Sequence, residues 1–180
     1  MVLIGCKPPG RHTEQHDVYF GIAETIKDLV PGINRFWPEA VGKIHVDGWR
    51  AVEHVSGYTV SIVPRNGVAS IQSHAQLFFI NLGGYKQGEF EEFHYKILVA
   101  GSDKGAAIRQ AKDTAFYQHT GFPGATSHVD DKYGIDVDDI HQIEEVLPEP
   151  WKEDYAIVLT PATDMREDNI QLGYMMLDKL

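Results

Sequence analysis

The sequence predicts an α+β fold: two tandem hairpin-helix-strand repeats with a mainly antiparallel sheet, related by a pseudo-twofold, plus a C-terminal β flap. Three observations support this fold. Short apolar segments alternate in the manner of half-buried strands, two segments have helical spacing, and residues of the first half recur in the second. A single copy leaves a sheet face or edge uncovered, which pairing with a second copy covers.

The first half is predicted to contain a hairpin, a short helix and further strands. Alternate positions of 16–22 are mostly apolar, which indicates a strand with one face toward the core. Pro31 suits the first turn of a helix whose extent Pro38 limits. A turn at Ser56-Gly57 separates the last two strands. The predicted strands of this half are 1–6, 14–22, 43–55 and 58–63.

The second half is predicted to repeat this order. Ser102 or Asp103 caps a helix that Gly121 stops, and its apolar face is formed by Ile108, Ala111, Ala115 and Phe116. The glycines predicted to bound a hairpin loop before it are Gly83, Gly84 and Gly88. The predicted strands are 77–80, 93–100, 128–130 and 135–146, the last with room for a helical turn, and then 155–160 and 170–177 as a C-terminal hairpin or flap.

The internal repeat is the observation that most constrains the organisation. At a spacing of 78, the residues Gly5, Gly10, Glu14 and His16 match Gly83, Gly88, Glu92 and His94. At 80, Phe36-Trp37 matches Phe116-Tyr117, and at 83, His45-Val46-Asp47 matches His128-Val129-Asp130. The domain prediction is repeat one at 1–64, a connector at 65–76, repeat two at 77–147 and a C-terminal segment at 148–180, all in one globular unit.

Composition excludes several classes of function. The 180 residues are 43% hydrophobic and 23% charged, which is typical of a globular chain. The net charge of -10, with scattered Lys and Arg, argues against a nucleic-acid partner. Apolar runs fall far short of the ~20 residues that span a bilayer, so no membrane partner is expected. One cysteine, Cys6, and no apparent signal segment predict a cytoplasmic protein.

Several strings resemble a small bacterial family, domain-of-unknown-function family 1543, which has one or two copies per chain. They include Thr13-Glu14-Gln15-His16-Asp17, Gly42-Lys43-Ile44-His45-Val46-Asp47 and His128-Val129-Asp130-Asp131-Lys132-Tyr133-Gly134. The resemblance covers both halves up to about Glu145. It implies a bacterial cytosolic protein, and it brings no reaction, cofactor or functional residue with it.

The repeated polar residues form two candidate sets. They are Glu14, His16, His45 and Asp47, and Glu92, His94, His128 and Asp130. Strand positions two apart share a face, so each pair places its groups side by side. Carboxylate and imidazole groups suit a divalent metal such as zinc or manganese. The alternative, which is favoured here, is a structural hydrogen-bond network, or in the case of His45 and Asp47 the wet face of a half-buried strand.

Other motifs favour structural roles. The glycines after the strand at 77–80 are followed by Glu89, Glu91 and Glu92, where a phosphate loop needs Lys and Ser or Thr. The acidic stretch 130–139 lacks the ligand spacing of a calcium loop. Cys6 near His16 resembles a thiol nucleophile but is absent from the repeat, so a core residue is expected.

Two functional hypotheses follow. The first is a non-catalytic module that binds a protein or small ligand, as a homodimer through strand edges or aromatic patches. The second is a metal-binding protein or metal-dependent hydrolase that uses the repeated Glu, His and Asp sets. Whether the protein is an enzyme is left open, and no catalytic residue is assigned.

Overall fold

The computed structural model describes residues 1–67, 74–85, 90–120, 136–164 and 166–180, and these form an α+β fold with mainly antiparallel sheets and few helices, as predicted. The strands are β1 (Val2–Cys6), β2 (Gln15–Tyr19), β3 (His45–Trp49), β4 (His54–Val55), β5 (Tyr58–Pro64), β6 (Gln76–Tyr85), β7 (Glu92–Gly101), β8 (Asp136–Gln142), β9 (Tyr155–Pro161) and β10 (Gln171–Met176). The helices are α1 (Val30–Phe36), α2 (Lys104–Thr120), α3 (Ile143–Val146) and α4 (Trp151–Asp154).

The first sheet has the strand order β10-β3-β1-β2, and its neighbours are antiparallel. The predicted hairpin of β1 and β2 is therefore present. Strand β1 lies between β3 and β2, and one of its faces is apolar, with Ile4 and Cys6 fully buried. Helix α1, which has a proline in its first turn as predicted, contributes Ile33 to the core on one face of this sheet.

The second sheet has the strand order β4-β5-β9, so it joins parts of the chain that are far apart in the sequence. Ser56 and Gly57, both with positive φ, form the tight turn between β4 and β5 that the sequence predicts. The predicted strand 43–55 is divided, because β3 stays in the first sheet and β4 turns into this one. A shared apolar core, which includes Val18, Val55, Leu98 and Leu159, connects this sheet to its neighbours.

The third sheet has the order β7-β6-β8 and is also antiparallel. Helix α2 packs on it through Ala107 and Ala111, both fully buried. Asp103 is the cap, since its Oδ1 accepts the backbone N–H of Ala106 at 2.8 Å, and this hydrogen bond lowers the pKa of Asp103. Among the described residues, no helix is both long enough and apolar enough to cross a membrane.

Two sequence predictions about strand ends are wrong. The C-terminal strands do not form a hairpin, because β9 pairs with β5 and β10 pairs with β3. Gly83 and Gly84 lie inside β6 and not in a loop, because β6 and β7 continue pairing as far as Tyr85 and Glu92. Gly88, Gly121 and the predicted strand 128–130 lie outside the described residues.

Candidate functional site

The first candidate set is brought together across the central strand of the first sheet. Gly5 in β1 is in register with His16 on one neighbouring strand and with His45 on the other. Residues in register on adjacent strands point to the same face, and Asp47, two residues after His45, shares that face. Since Gly5 has no side chain, the imidazoles can meet above it. A Cβ at Gly5 would lie 2.5 Å from both His45 Nε2 and Asp47 Oδ2.

The four side chains of this set, hereafter the first cluster, lie close together. His45 Nε2 lies 3.0 Å from Glu14 Oε1 and 3.4 Å from Asp47 Oδ1. His16 Nε2 lies 3.2 Å from Asp47 Oδ2 and 3.8 Å from Glu14 Oε2. Ligand atoms of Glu14, His16 and His45 all lie within 4.8 Å of one another. Each carboxylate therefore faces both imidazoles, as the sequence pattern predicts for this half.

Burial distinguishes the members of the first cluster. His45 is only 4% exposed, so the alternative that places it on the wet face of a half-buried strand is wrong. The ring of Tyr174 in β10 lies against it, with ring centroids 4.4 Å apart. Glu14 and His16 are much more exposed, with side-chain exposures of 45% and 39%. The cluster is therefore closed to solvent at His45 and open to solvent at Glu14 and His16.

The close contacts of the first cluster are not hydrogen bonds. His45 Nε2 and Asp47 Oδ2 are both buried and have no hydrogen-bond partner, although carboxylate and imidazole atoms lie within 3.5 Å of each. Three of the four contacts, at 3.0, 3.2 and 3.4 Å, are within hydrogen-bond length, and the fourth is 3.8 Å. A structural network, the alternative favoured from sequence, would direct these atoms at one another, because a buried unpaired polar atom costs about 1–3 kcal/mol.

A second cluster lies at the corresponding place in the third sheet. Glu92, His94 and Asp138 offer ligand atoms within 4.8 Å of one another, and His94 Nε2 lies 3.3 Å from Asp138 Oδ2. Gly83 is in register with His94, and a Cβ there would collide with the Asp138 carboxylate. Of the second predicted set, Glu92 and His94 are thus brought together. His128 and Asp130 lie outside the described residues.

Strand β8 has the same place relative to β6 as β3 has relative to β1. Gly5 pairs with His45 in the first sheet, and Gly83 pairs with Asp136 in the third. His45-Val46-Asp47 and Asp136-Val137-Asp138 are therefore alike in strand register. The predicted match of His45-Val46-Asp47 with 128–130 lies outside the described residues.

A third group of ionisable residues has a structural explanation. The Asp168 carboxylate accepts the backbone N–H groups of Glu53 and His54, at 3.2 and 2.8 Å, and lies 3.1 Å from Arg50 Nη2. Its side chain is only 3% exposed. These partners satisfy the carboxylate, so it ties the segment before β10 to the connection between β3 and β4.

A cleft of about 550 Å³ lies between the first and third sheets. His16 from the first cluster and His94 from the second both line it, together with Lys96, Asp139 and His141. Its apolar wall includes Tyr19, Phe20, Phe36 and Phe79. One histidine of each cluster therefore lines the same cleft, which sequence reasoning did not anticipate.

Cys6 is a core residue and not part of the site. It is fully buried in the first sheet, and burial raises the pKa of its thiol. A nucleophilic cysteine needs exposure and a lowered pKa, so both observations oppose that role.

Asp138, Tyr174 and Asp168 were missed from sequence. Only Asp138 had a usable signal, since it lies in the Asp136-Val137-Asp138 string that resembles His45-Val46-Asp47.

Comparisons with known proteins place this fold and this sequence. The model of the family described as Domain of Unknown Function (DUF1543) matches residues 11–62, which confirms the predicted resemblance over this part of the first half and includes the whole first cluster. A solved structure, that of a protein Il1583 from Idiomarina loihiensis, is similar over 97% of this chain and 93% of that chain, with a TM-score of 0.62 and 17% identity. That likeness concerns the fold alone. No curated protein matches the sequence significantly.

Proposed function

We propose that this DUF1543-related chain is a metal-binding protein whose first cluster holds a divalent transition-metal ion. The observation that carries the proposal is the buried His45 Nε2 without a hydrogen-bond partner, which belongs to a group of close ligand atoms with Glu14 and His16 and lies 3.4 Å from Asp47 Oδ1. A metal ion satisfies all these atoms at once. It also offsets the repulsion between two carboxylates that face the same point.

The dimensions of the first cluster fit such an ion. Zinc bonds to nitrogen and oxygen are about 2.0–2.2 Å, so the edges of a tetrahedral ligand set are roughly 3.4 Å. The contacts between imidazole and carboxylate atoms in the cluster range from 3.0 to 3.8 Å. Two imidazoles with two carboxylates favour Zn²⁺ or a neighbouring first-row ion over Mg²⁺ or Ca²⁺.

The role of Asp47 separates binding from hydrolysis. Ligand atoms of Glu14, His16 and His45 lie within 4.8 Å of one another, and the Asp47 oxygens lie 3.2 and 3.4 Å from the two imidazoles. With Asp47 as a fourth ligand a tetrahedral ion is complete, whereas a hydrolytic zinc site keeps that position for water. The hydrolase is the second form of this proposal, and it requires Asp47 to stay off the ion. Its test is cleavage of activated ester and phosphoester substrates by the zinc-loaded chain, which must scale with zinc content and disappear in Glu14→Gln.

The main test is calorimetric titration of the untagged full chain with ZnCl₂ after chelator treatment. We expect a tight first equivalent of zinc in the wild type. In Glu14→Gln, which changes an exposed side chain, Kd should rise at least about tenfold, and in His45→Ala further. Asp17→Asn is the matched control, since it removes a carboxylate beside His16 whose Oδ1 accepts the Val18 N–H outside the cluster.

Failure of this proposal would be unambiguous. A wild-type chain that binds no zinc would overturn it. So would a Glu14→Gln variant that has a wild-type circular dichroism spectrum and an unchanged zinc Kd. Elemental analysis of protein purified without affinity metal provides an independent readout.

We further infer that the chain is a tandem duplication with repeats at 1–64 and 77–147, joined by the connector 65–76 and followed by the segment 148–180. In support, β1 and β6, the first strands of the two proposed repeats, each lie between two other strands of their sheet. Gly83 pairs with His94 as Gly5 pairs with His16, and both residues of the second pair lie 78 positions later in the sequence. Strand pairing is also interrupted at equivalent places, after Leu3 and after Asn81. The test is an experimental structure in which a rotation close to a twofold superposes the two halves.

A protein-binding role through a strand edge is the second candidate function, with a second copy of the chain as the partner. In support, β10 is at the edge of the first sheet and exposes an apolar row formed by Ile170, Leu172, Tyr174 and Met176. Exposed apolar edge strands are typical association sites. Sedimentation equilibrium tests this: the wild type should be a dimer and Leu172→Lys a monomer. A monomeric wild type at high concentration would refute it.

The remaining expectations from sequence stand as proposals. We propose a bacterial cytoplasmic setting, supported by the free Cys6 and by the family resemblance. We also propose that nucleic acid is not a partner, supported by the net charge of -10. Fractionation of the native host and a filter-binding assay test these two statements.

A further inference from the structure

We infer that the second cluster, formed by Glu92, His94 and Asp138, is a second cation site with a different ion preference from the first. The inference rests on the proposed function, because it treats the second cluster as the counterpart of the first. It also goes beyond that function, since the family match ends at residue 62 and the candidate set predicted from sequence does not include Asp138.

The position of the second cluster carries the first step. In both sheets a glycine of the central strand lies in register with the histidine, Gly5 with His16 and Gly83 with His94. In both sheets an aspartate on the strand at the other side of the glycine strand, β3 or β8, lies beside that histidine. The distance is 3.2 Å for His16 and Asp47 and 3.3 Å for His94 and Asp138. The same backbone arrangement thus presents the same pair of donors twice.

The donor atoms carry the second step. The first cluster has two imidazoles, whereas the described residues of the second provide one imidazole and two carboxylates. The register position of His45 is taken by Asp136 in the third sheet, so an acidic residue stands where the first sheet has its buried histidine. Oxygen-rich ligand sets favour Mn²⁺ and Mg²⁺, and imidazole-rich sets favour Zn²⁺. The second site should therefore select Mn²⁺ relative to the first.

Exposure carries the third step. The side chains of His94 and Asp138 are 38% and 32% exposed, whereas His45 in the first cluster is buried. At an exposed site, water supplies more of the ion's ligands. Mn²⁺ and Mg²⁺ tolerate this better than an ion that is enclosed by a tetrahedral set of protein ligands. The second site should bind more weakly and exchange its ion faster.

The shared cleft gives the second site a chemical context. His94 lines the cleft from one side and His16 from the other, and the Asn81 side-chain oxygen there is buried without a hydrogen-bond partner. Lys96 adds a positive charge. An anionic ligand in this space would contact a cation on each wall, so Mn²⁺ at the second site should be accessible to solvent and to small anions.

The experiment is Mn²⁺ titration of the full chain, followed by the relaxation rate of water protons and by broadening of histidine ring signals in NMR spectra. We expect enhanced water relaxation and selective broadening of His94 in zinc-preloaded wild-type protein. His94→Ala should weaken Mn²⁺ binding at least tenfold and leave the first zinc equivalent intact. Asp138→Asn should weaken it in the same way, and Asp139→Asn, its neighbour on β8, is the matched control.

The outcomes separate this inference from the proposed function. Zinc binding without any Mn²⁺ effect, or a Mn²⁺ effect that survives both His94→Ala and Asp138→Asn, refutes the second site alone. Mn²⁺ binding that His45→Ala abolishes and His94→Ala does not would place the ion in the first cluster and also refute it. Absence of both metals overturns the proposed function as well.

Discussion

Replacing Gly5 with alanine tests the site without removing any ligand. The new Cβ would lie 2.5 Å from His45 Nε2 and Asp47 Oδ2, so both donors must turn away from the shared point. The backbone itself accepts alanine, because Gly5 is not among the glycines with positive φ. The substitution therefore acts on the geometry of the first cluster more than on the strand.

The expected magnitudes differ for folding and for binding. Overpacking costs about 1–3 kcal/mol, and replacing a strand glycine recovers about 0.5–1 kcal/mol, so the net change in unfolding free energy should stay within roughly 2 kcal/mol. Displacing two ligands should raise the zinc Kd at least about 100-fold, the upper end of the effect of disturbing outer-shell partners. That factor corresponds to about 2.8 kcal/mol.

Thermal unfolding with added zinc measures this difference directly. At 100 times the wild-type Kd, zinc stabilises the wild type by about 2.7 kcal/mol, and the variant by only about 0.4 kcal/mol if its Kd is 100-fold higher. For a chain of this size, 1 kcal/mol shifts Tm by about 2–4 °C. The wild type should thus gain several degrees and Gly5→Ala about one. Gly83→Ala, at the matching register position of the third sheet, should retain the wild-type gain.

A Gly5→Ala variant with the full wild-type gain in Tm would refute the assignment of the first cluster. A variant that fails to fold by circular dichroism transfers the test to Glu14→Gln, whose side chain is exposed. Equal losses in Gly5→Ala and Gly83→Ala would indicate that general destabilisation, and not ligand displacement, is being measured.

Three further predictions concern the rest of the fold. Tyr19→Phe should leave the unfolding free energy, measured by urea denaturation, unchanged or raise it by about 1 kcal/mol. The reason is that the Tyr19 hydroxyl is buried without a hydrogen-bond partner, and burial raises its pKa. A large loss of stability would show that the hydroxyl has a partner. Asp168→Asn should cost about 2–3 kcal/mol, since it weakens the contacts with Arg50 and two backbone N–H groups; a change below 0.5 kcal/mol would contradict this. Cys6 should resist Ellman's reagent at pH 8 in the native chain and react in denaturant, because burial raises its pKa and suppresses the thiolate; rapid native reaction would contradict this.

Local patterns identified most of the elements. The alternation around His16, the proline at the start of α1 and the capping position at Asp103 each depend on neighbouring residues, so they can be interpreted from a short window of sequence. The pairing of β9 with β5 and of β10 with β3 could not be predicted in this way. Those pairs join residues about a hundred or more positions apart, and the turn between β9 and β10 does not specify them.

The same division holds for the candidate site. The sequence by itself determined the donors Glu14, His16, His45 and Asp47, because the period of a strand places residues two apart on one face. Only the tertiary structure decided that these donors meet, since this requires β1 to lie between β2 and β3 with a glycine at the crossing point. It also placed Asp138 beside His94, at 3.3 Å, because β7 and β8 both pair with β6. Burial of His45, which turns a cluster of charges into a candidate metal site, depends on a side chain from β10 far along the chain.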